Sequence, residues 1–180
     1  MGNGDGDGDE PALVKHYKNN IYFTGEVNNA SMQELFICLE KVANKHDQII
    51  LCINSEGGYV HDGFAGMDYI QTIIKRGKVV DTIVYGFCAS AATILLLAGS
   101  TKKMGPNAQI LIHQLSVDIG GTYDALKNEM KTNKKVMKSL RKVYTENTDI
   151  PPDILEALLL RDMTLSAKKC LDYGIVDEIL

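Results

Sequence analysis

Between Gln48 and Asn54 the chain reads Gln-Ile-Ile-Leu-Cys-Ile-Asn, an apolar run with no alternation. A strand with one wet face alternates apolar and polar residues. An unbroken run needs cover on both faces, as parallel strands between helical layers have. The segment therefore predicts a buried parallel strand, and the flanking sequence supplies the cover. Upstream, Ser31-Met-Gln-Glu34 reads as a capping box, with the Ser31 hydroxyl accepting the backbone N–H at Glu34, and Leu35, Leu39 and Val42 follow at helical spacing. Downstream, a Ser-Glu-Gly-Gly turn precedes a second stripe of Phe64, Met67, Ile70 and Ile74, closed by Lys75, Arg76 and Gly77. Val79 to Tyr85 is a further strand, Gly86 to Ala89 a turn, and a third helix starts near Ser90. Gln109 to His113 is the next strand, after a Gly-Pro-Asn turn. This order predicts an α/β domain with parallel strands and right-handed βαβ crossovers.

Thr82 to Thr101 carries no charge and has the length of a bilayer span. Its glycines, hydroxyls and internal change of period read instead as strand, turn and buried helix, so no membrane association is expected. The composition agrees: 45% of the 180 residues are apolar and 23% charged, as in soluble globular chains. Lys and Arg number 19 against 23 Asp and Glu, a net charge of −4, which argues against general nucleic-acid binding. Cys38, Cys52, Cys88 and Cys170 form no CxxC pair, the pattern of reduced thiols in a cytoplasmic protein. The opening MGNGDGDGDE lacks a secretory pattern, and residues 1–19 read as a flexible tail ahead of one domain over 20–180. Asp5, Asp7 and Asp9 imitate a calcium loop. The sixth and twelfth positions of that loop are Glu10 and His16, where Gly and Glu are needed, so no metal is expected.

From Thr122 to about Asn147 neither proline nor glycine occurs. Tyr123, Leu126, Met130, Asn133, Met137, Leu140 and Tyr144 step alternately by three and four, a narrow apolar seam. Such a helix is about 39 Å long, so the seam faces either another subunit or the chain's own domain. Lys127, Lys131, Lys134, Lys135, Lys138, Arg141 and Lys142 make the other face, a solvated one, since no base-reading motif accompanies them. A short helix follows Pro151-Pro152, and another, capped by Ser166, ends at Gly174.

In parallel sheets, ligands bind at the carboxyl ends of strands. Ser55 to Gly58, Ser90 and His113 each end or follow such a strand, so all fall at one edge. Ser90 stands at a helix start, where free N–H groups favour an anion. That is also the place of an ordinary N-cap. Gly58 and Ala91 have N–H groups placed for an oxyanion hole. His113 by itself suits a core or edge histidine, and Asp162 a cap or a partner of Arg161. Together Ser90, His113 and Asp162 have the residue types of a nucleophilic triad. Their chain order is not that of the chymotrypsin, subtilisin or α/β-hydrolase types, and no G-x-S-x-G elbow surrounds Ser90.

Ile-Asn-Ser-Glu-Gly-Gly (53–58), Gly-Phe-Cys-Ala-Ser-Ala-Ala (86–92), Ile-His-Gln (112–114), Arg-Asp-Met-Thr-Leu-Ser-Ala (161–167) and Asp-Tyr-Gly-Ile-Val-Asp (172–177) occur in order over residues 20–180. In these segments the chain resembles the proteolytic subunits of Clp proteases, the ClpP family. The resemblance implies a ClpP/crotonase-type α/β fold with a protruding handle helix from Thr122. It implies Ser90 as nucleophile, His113 as general base and Asp162 as its orienting acid. Gly58 and Ala91 are implied as the oxyanion hole, with Gly57, Gln114 and Leu115 beside substrate. It further implies a homo-oligomer of two stacked heptameric rings, unfolded polypeptide substrates and an AAA+ Clp unfoldase that consumes ATP. No cofactor is implied for this chain. Glu56 replaces the family's proline, and Leu115 replaces the proline after His-Gln, so an altered peptide preference is expected; Ile50, Cys52, Thr72 and Lys103 stand where aromatics are usual, so weaker or altered unfoldase docking is expected. Two rivals are a non-catalytic scaffold subunit of a mixed ring, which predicts a broken triad, and a crotonase-like acyl-CoA enzyme, which needs only the paired N–H groups.

Overall fold

The computed structural model describes residues 14–117 and 120–180. The strands are β1 (Val14–Tyr17), β2 (Asn20–Val27), β3 (Gln48–Gly58), β4 (Val79–Ala89), β5 (Lys102–Met104), β6 (Gln109–Leu111), β7 (Thr164–Ser166) and β8 (Glu178–Ile179). The helices are α1 (Asn29–Ala43), α2 (Val60–Lys75), α3 (Ala91–Leu97), α4 (Tyr123–Asn147), α5 (Pro152–Leu160) and α6 (Ala167–Asp172). They surround one sheet of order β1-β2-β3-β4-β5-β8, with β6 paired to β4 and to β7.

The centre of the sheet is parallel, as the apolar run requires: β2–β3, β3–β4, β4–β5 and β4–β6 all run the same way. Ile49, Leu51 and Ile53 of β3 are fully buried, and Cys52 between them is nearly so. Among the described residues, antiparallel pairing is confined to β1–β2 and β6–β7. Every residue of α3 is buried, so this helix is apolar all round and lies inside the fold.

Four sequence expectations are corrected. The turns expected at 55–58 and 86–89 are strand, the ends of β3 and β4. Gly57 (φ 95°), Gly58 (φ 149°) and Gly86 (φ 79°) bend the chain without ending its pairing. At Gly86 the strand changes partner: Thr82–Val84 pair with β5, and Phe87–Ala89 pair with β6. The capping box lies one turn earlier than expected. Asn28 is the N-cap, its side chain accepting the Ser31 N–H while the Ser31 hydroxyl accepts the Asn28 N–H. Glu34 instead accepts the N–H of Val14 at 3.2 Å. Of the tail expected over 1–19, the first thirteen residues lie outside the described residues, with the imitation calcium loop's aspartates, while Val14–Tyr17 form an edge strand.

The long helix packs on its own domain along one half only. Val136, Leu140 and Tyr144 are buried against the domain, whereas Tyr123 and Met130 stay 77% and 49% exposed toward the other end. The basic face is exposed, with Arg141 bonded to Glu156 of α5 at 2.6 Å. Among the described residues no helix is long and apolar enough to cross a membrane; Thr82 to Thr101 divides between β4 and α3 as expected.

Candidate active site

Ser90 joins β4 to α3 with φ 53° and ψ −128°, a conformation that costs a non-glycine residue about 1–3 kcal/mol. It makes no side-chain cap bond to α3, so its hydroxyl is not spent as an N-cap. Hydrogen bonds on both sides hold the strained backbone. The Ser90 N–H donates to Leu111 O at 2.9 Å, and Ser90 O accepts both the N–H (3.0 Å) and the hydroxyl (2.6 Å) of Thr93.

The glycine pair at the end of β3 lies against this junction. A Cβ on Gly57 would stand 2.6 Å from Ala89 O, 2.6 Å from the Ser90 Cβ and 3.0 Å from the Ala91 N. Real carbon contacts settle at about 3.5–4.0 Å, so only glycine lets β3 come this close. The Gly57 N–H is taken by the Ser55 hydroxyl at 3.1 Å. Ala91 opens α3, where backbone N–H groups have no partner within the helix.

His113 lies just beyond β6 and is half-buried. Its Nδ1 is 2.6 Å from Gln114 O. A carbonyl only accepts, so Nδ1 carries the proton and Nε2 is the free lone pair of the neutral ring. Gln114 N–H donates to Leu159 O at 2.8 Å and Leu115 N–H to the Met137 sulfur at 3.2 Å, tying the loop after His113 to α5 and α4.

Gly58, Ser90, Ala91, His113, Gln114 and Leu115 line one pocket of about 90 Å³, floored by Leu140 and Tyr144 of α4. A second pocket of about 400 Å³ shares Gly58, Val60, Leu115 and Ser116 with it and continues past Glu26, Glu129 and Asn133. Gly57 stands behind the Ser90 junction rather than in the pocket wall. Asp162 is not brought in. It is exposed and, among the described residues, engages no hydrogen bond or ion pair, with Arg161 and His113 included.

The β6–β7 register explains its position. Gln109, Ile110 and Leu111 face Ser166, Leu165 and Thr164. Carried on by two residues, the same ladder sets His113 opposite Asp162. The pairing stops short because the Met163 N–H turns back to Arg161 O at 2.8 Å, and the Gln114 N–H goes to Leu159. In this structure the imidazole Nδ1 is bonded to the Gln114 carbonyl, the place that the family resemblance implies for Asp162.

Val60, Ser116, Leu140 and Tyr144 in the pocket, and Thr93 bonded to Ser90 O, are residues that the sequence did not assign to the site. Tyr144 and Leu140 show in the sequence only as the last members of the helical seam.

Residues 12–180 match the model of the Clp protease family. A relative from Deinococcus radiodurans, described as an ATP-dependent Clp protease proteolytic subunit, is 31% identical over 168 residues, covering 91% of this chain and 81% of the relative. On a match that spans nearly the whole chain, this chain belongs to the Clp protease family.

Proposed function

We propose that the chain is a serine endopeptidase subunit that cleaves unfolded polypeptides and peptides by acyl transfer. One observation carries the reading: Ser90, His113, Gly58 and Ala91 line a single pocket, with the Ser90 backbone held in a strained conformation and its hydroxyl unspent. His113 Nε2 takes the hydroxyl proton as Ser90 Oγ attacks a peptide carbonyl carbon. The Gly58 and Ala91 N–H groups receive the oxyanion, a contribution worth roughly 100–1000-fold per donor. The imidazolium returns its proton to the leaving amine, and water, deprotonated by the same nitrogen, releases the acyl group. Asp162 joins as the orienting acid when the β6–β7 ladder extends to His113. Gln114 and Leu115 edge the cleft along which a peptide lies.

The assembly we propose is the family's: a cytoplasmic homo-oligomer of two stacked heptameric rings, with the exposed half of α4 between them. An AAA+ unfoldase supplies substrate and consumes the ATP. Its docking is altered, because Lys103 is committed to Glu178 at 2.6 Å and Ile50 and Cys52 offer no aromatic surface. A normal pull-down of a standard Clp unfoldase would contradict that point. The central test is hydrolysis of a short fluorogenic peptide, which enters a chamber unaided. Activity that vanishes in Ser90→Ala is expected, and equal rates in both proteins would remove Ser90 from the chemistry.

A further inference from the structure

Tyr144 has no part in the acyl-transfer steps, yet it is 1% exposed and its hydroxyl is 2.6 Å from the Thr93 hydroxyl, itself fully buried. The direction of that bond follows from its neighbour. Thr93 has one hydroxyl proton, and it goes to Ser90 O at 2.6 Å, since a carbonyl cannot donate. The shared proton of the pair must therefore come from Tyr144. The result is a directed chain from Tyr144 O–H to Thr93 Oγ1, and from Thr93 O–H to the carbonyl of Ser90. Bonds in such a chain polarise one another, and the dry surroundings strengthen each.

We propose that Tyr144 is a positioning residue for the nucleophile, holding the Ser90 backbone in its strained conformation through the Thr93 hydroxyl. Without Tyr144, Thr93 Oγ1 is a buried acceptor with no partner, and its hydroxyl is free to turn away from Ser90 O. The Ser90 carbonyl then keeps only the Thr93 N–H at 3.0 Å. Burial raises the Tyr144 phenol above its ordinary range, so the donor stays protonated throughout the pH range of a peptidase. Tyr144 also lies near the end of α4, whose far half is exposed, so the chain of hydroxyls ties the projecting helix to the nucleophile. The inference rests on reading Ser90 as the nucleophile.

The test compares the full chain with Tyr144→Phe, Thr93→Val, Thr93→Ser and the Tyr144→Phe/Thr93→Val double variant. Two rates are measured: hydrolysis of a short fluorogenic peptide and covalent labelling by a fluorophosphonate. Phe keeps the ring that floors the pocket, and Val keeps the shape of Thr. The expected result is a loss of about tenfold in kcat and in labelling rate for Tyr144→Phe and Thr93→Val, smaller than the hundredfold of a 1 Å misplacement. KM should stay within about twofold, because the groups act on the nucleophile and not on bound peptide. The double variant should lose no more than the worse single, and Thr93→Ser, which keeps the hydroxyl, should return to near the parent rate. An active parent with an equally active Tyr144→Phe overturns the inference alone, as does a Thr93→Ser as impaired as Thr93→Val, or a loss confined to KM. Should Tyr144→Phe fail to fold, the Thr93 pair decides by the same criteria. A parent that neither hydrolyses nor labels overturns the nucleophile reading, and this inference with it.

Discussion

Replacing Gly57 by alanine probes the site without touching any group that does chemistry. The added Cβ would stand 2.6 Å from both the Ser90 Cβ and Ala89 O. Relief to ordinary contact needs a shift of about 1 Å, and the neighbours are backbone and a Cβ, neither of which can swing aside. The left-handed φ of 95° adds strain of its own. Overpacking costs about 1–3 kcal/mol and the backbone strain a similar amount, so a loss of about 3 kcal/mol is reasonable. For a chain of this size that lowers Tm by about 6–12 °C and leaves the fold intact. The rate suffers more than the stability. A misplacement of about 1 Å at the reacting atom costs about a hundredfold. Gly77→Ala is the control: its φ is 88°, but nothing lies within 4 Å of the new Cβ. It should lower Tm modestly and leave peptide hydrolysis unchanged. Thermal melts and peptide hydrolysis on both variants make the comparison. A Gly57→Ala protein with the parent's rate would refute the reading that the close approach of β3 to Ser90 matters to the reaction.

Other outcomes follow from burial and charge. All four cysteines are buried, and burial pushes the Cys170 thiol up to about 12. Iodoacetamide should therefore leave the folded protein unmodified and label four sites after denaturation, as read by intact mass; rapid labelling of Cys170 in the fold would refute this. Glu40 is held below its ordinary value of 4.5, first by the hydrogen bond from Arg76 and then by that from Tyr69. A lowered carboxylate stabilises above the unfolded value and loses that contribution as pH falls through the folded one. Glu40→Gln should thus narrow the Tm difference between pH 7 and acid. The effect is small because both side chains of the ion pair reach solvent. An unchanged acid dependence would show that the pair contributes nothing.

The part of this fold legible in the sequence is the part governed by period. The unbroken run at Ile49–Ile53 needs two-sided cover, and β3 has it. From there the strand ends, and with them Ser90, Gly58 and His113, fall at one edge. Choices between equal local chemistries were not legible. Asn28 and Ser31 are both good caps three residues apart, and only the packed structure decides that Asn28 is the cap and Ser31 its reciprocal partner. Glycine pairs signal turns, but β3 and β4 use positive φ to bend while still paired, because a neighbouring strand is there to receive their N–H and C=O groups. Tyr144 reads as an apolar seam residue, since its hydroxyl partner lies 51 positions away in the chain.

Asp162 shows where the residue types of a triad outrun what the local sequence can place. Ser90 is held on both sides: its N–H and C=O both have backbone or side-chain partners, the buried Thr93 among them, and β3 lies against its Cβ. His113 and Asp162 depend instead on the ladder between β6 and β7, which has three residue pairs in all. Extending it by two pairs requires the Met163 N–H to leave Arg161 O and the Gln114 N–H to leave Leu159 O. Each exchange trades one backbone hydrogen bond for another, so the net cost is on the order of 1 kcal/mol, not that of breaking a core. Edge segments with few buried contacts open and re-pair most readily. The Ser90 backbone is therefore held by the body of the fold, while bringing His113 to Asp162 would require a longer β6–β7 ladder, which only something that binds the extended ladder more tightly would favour.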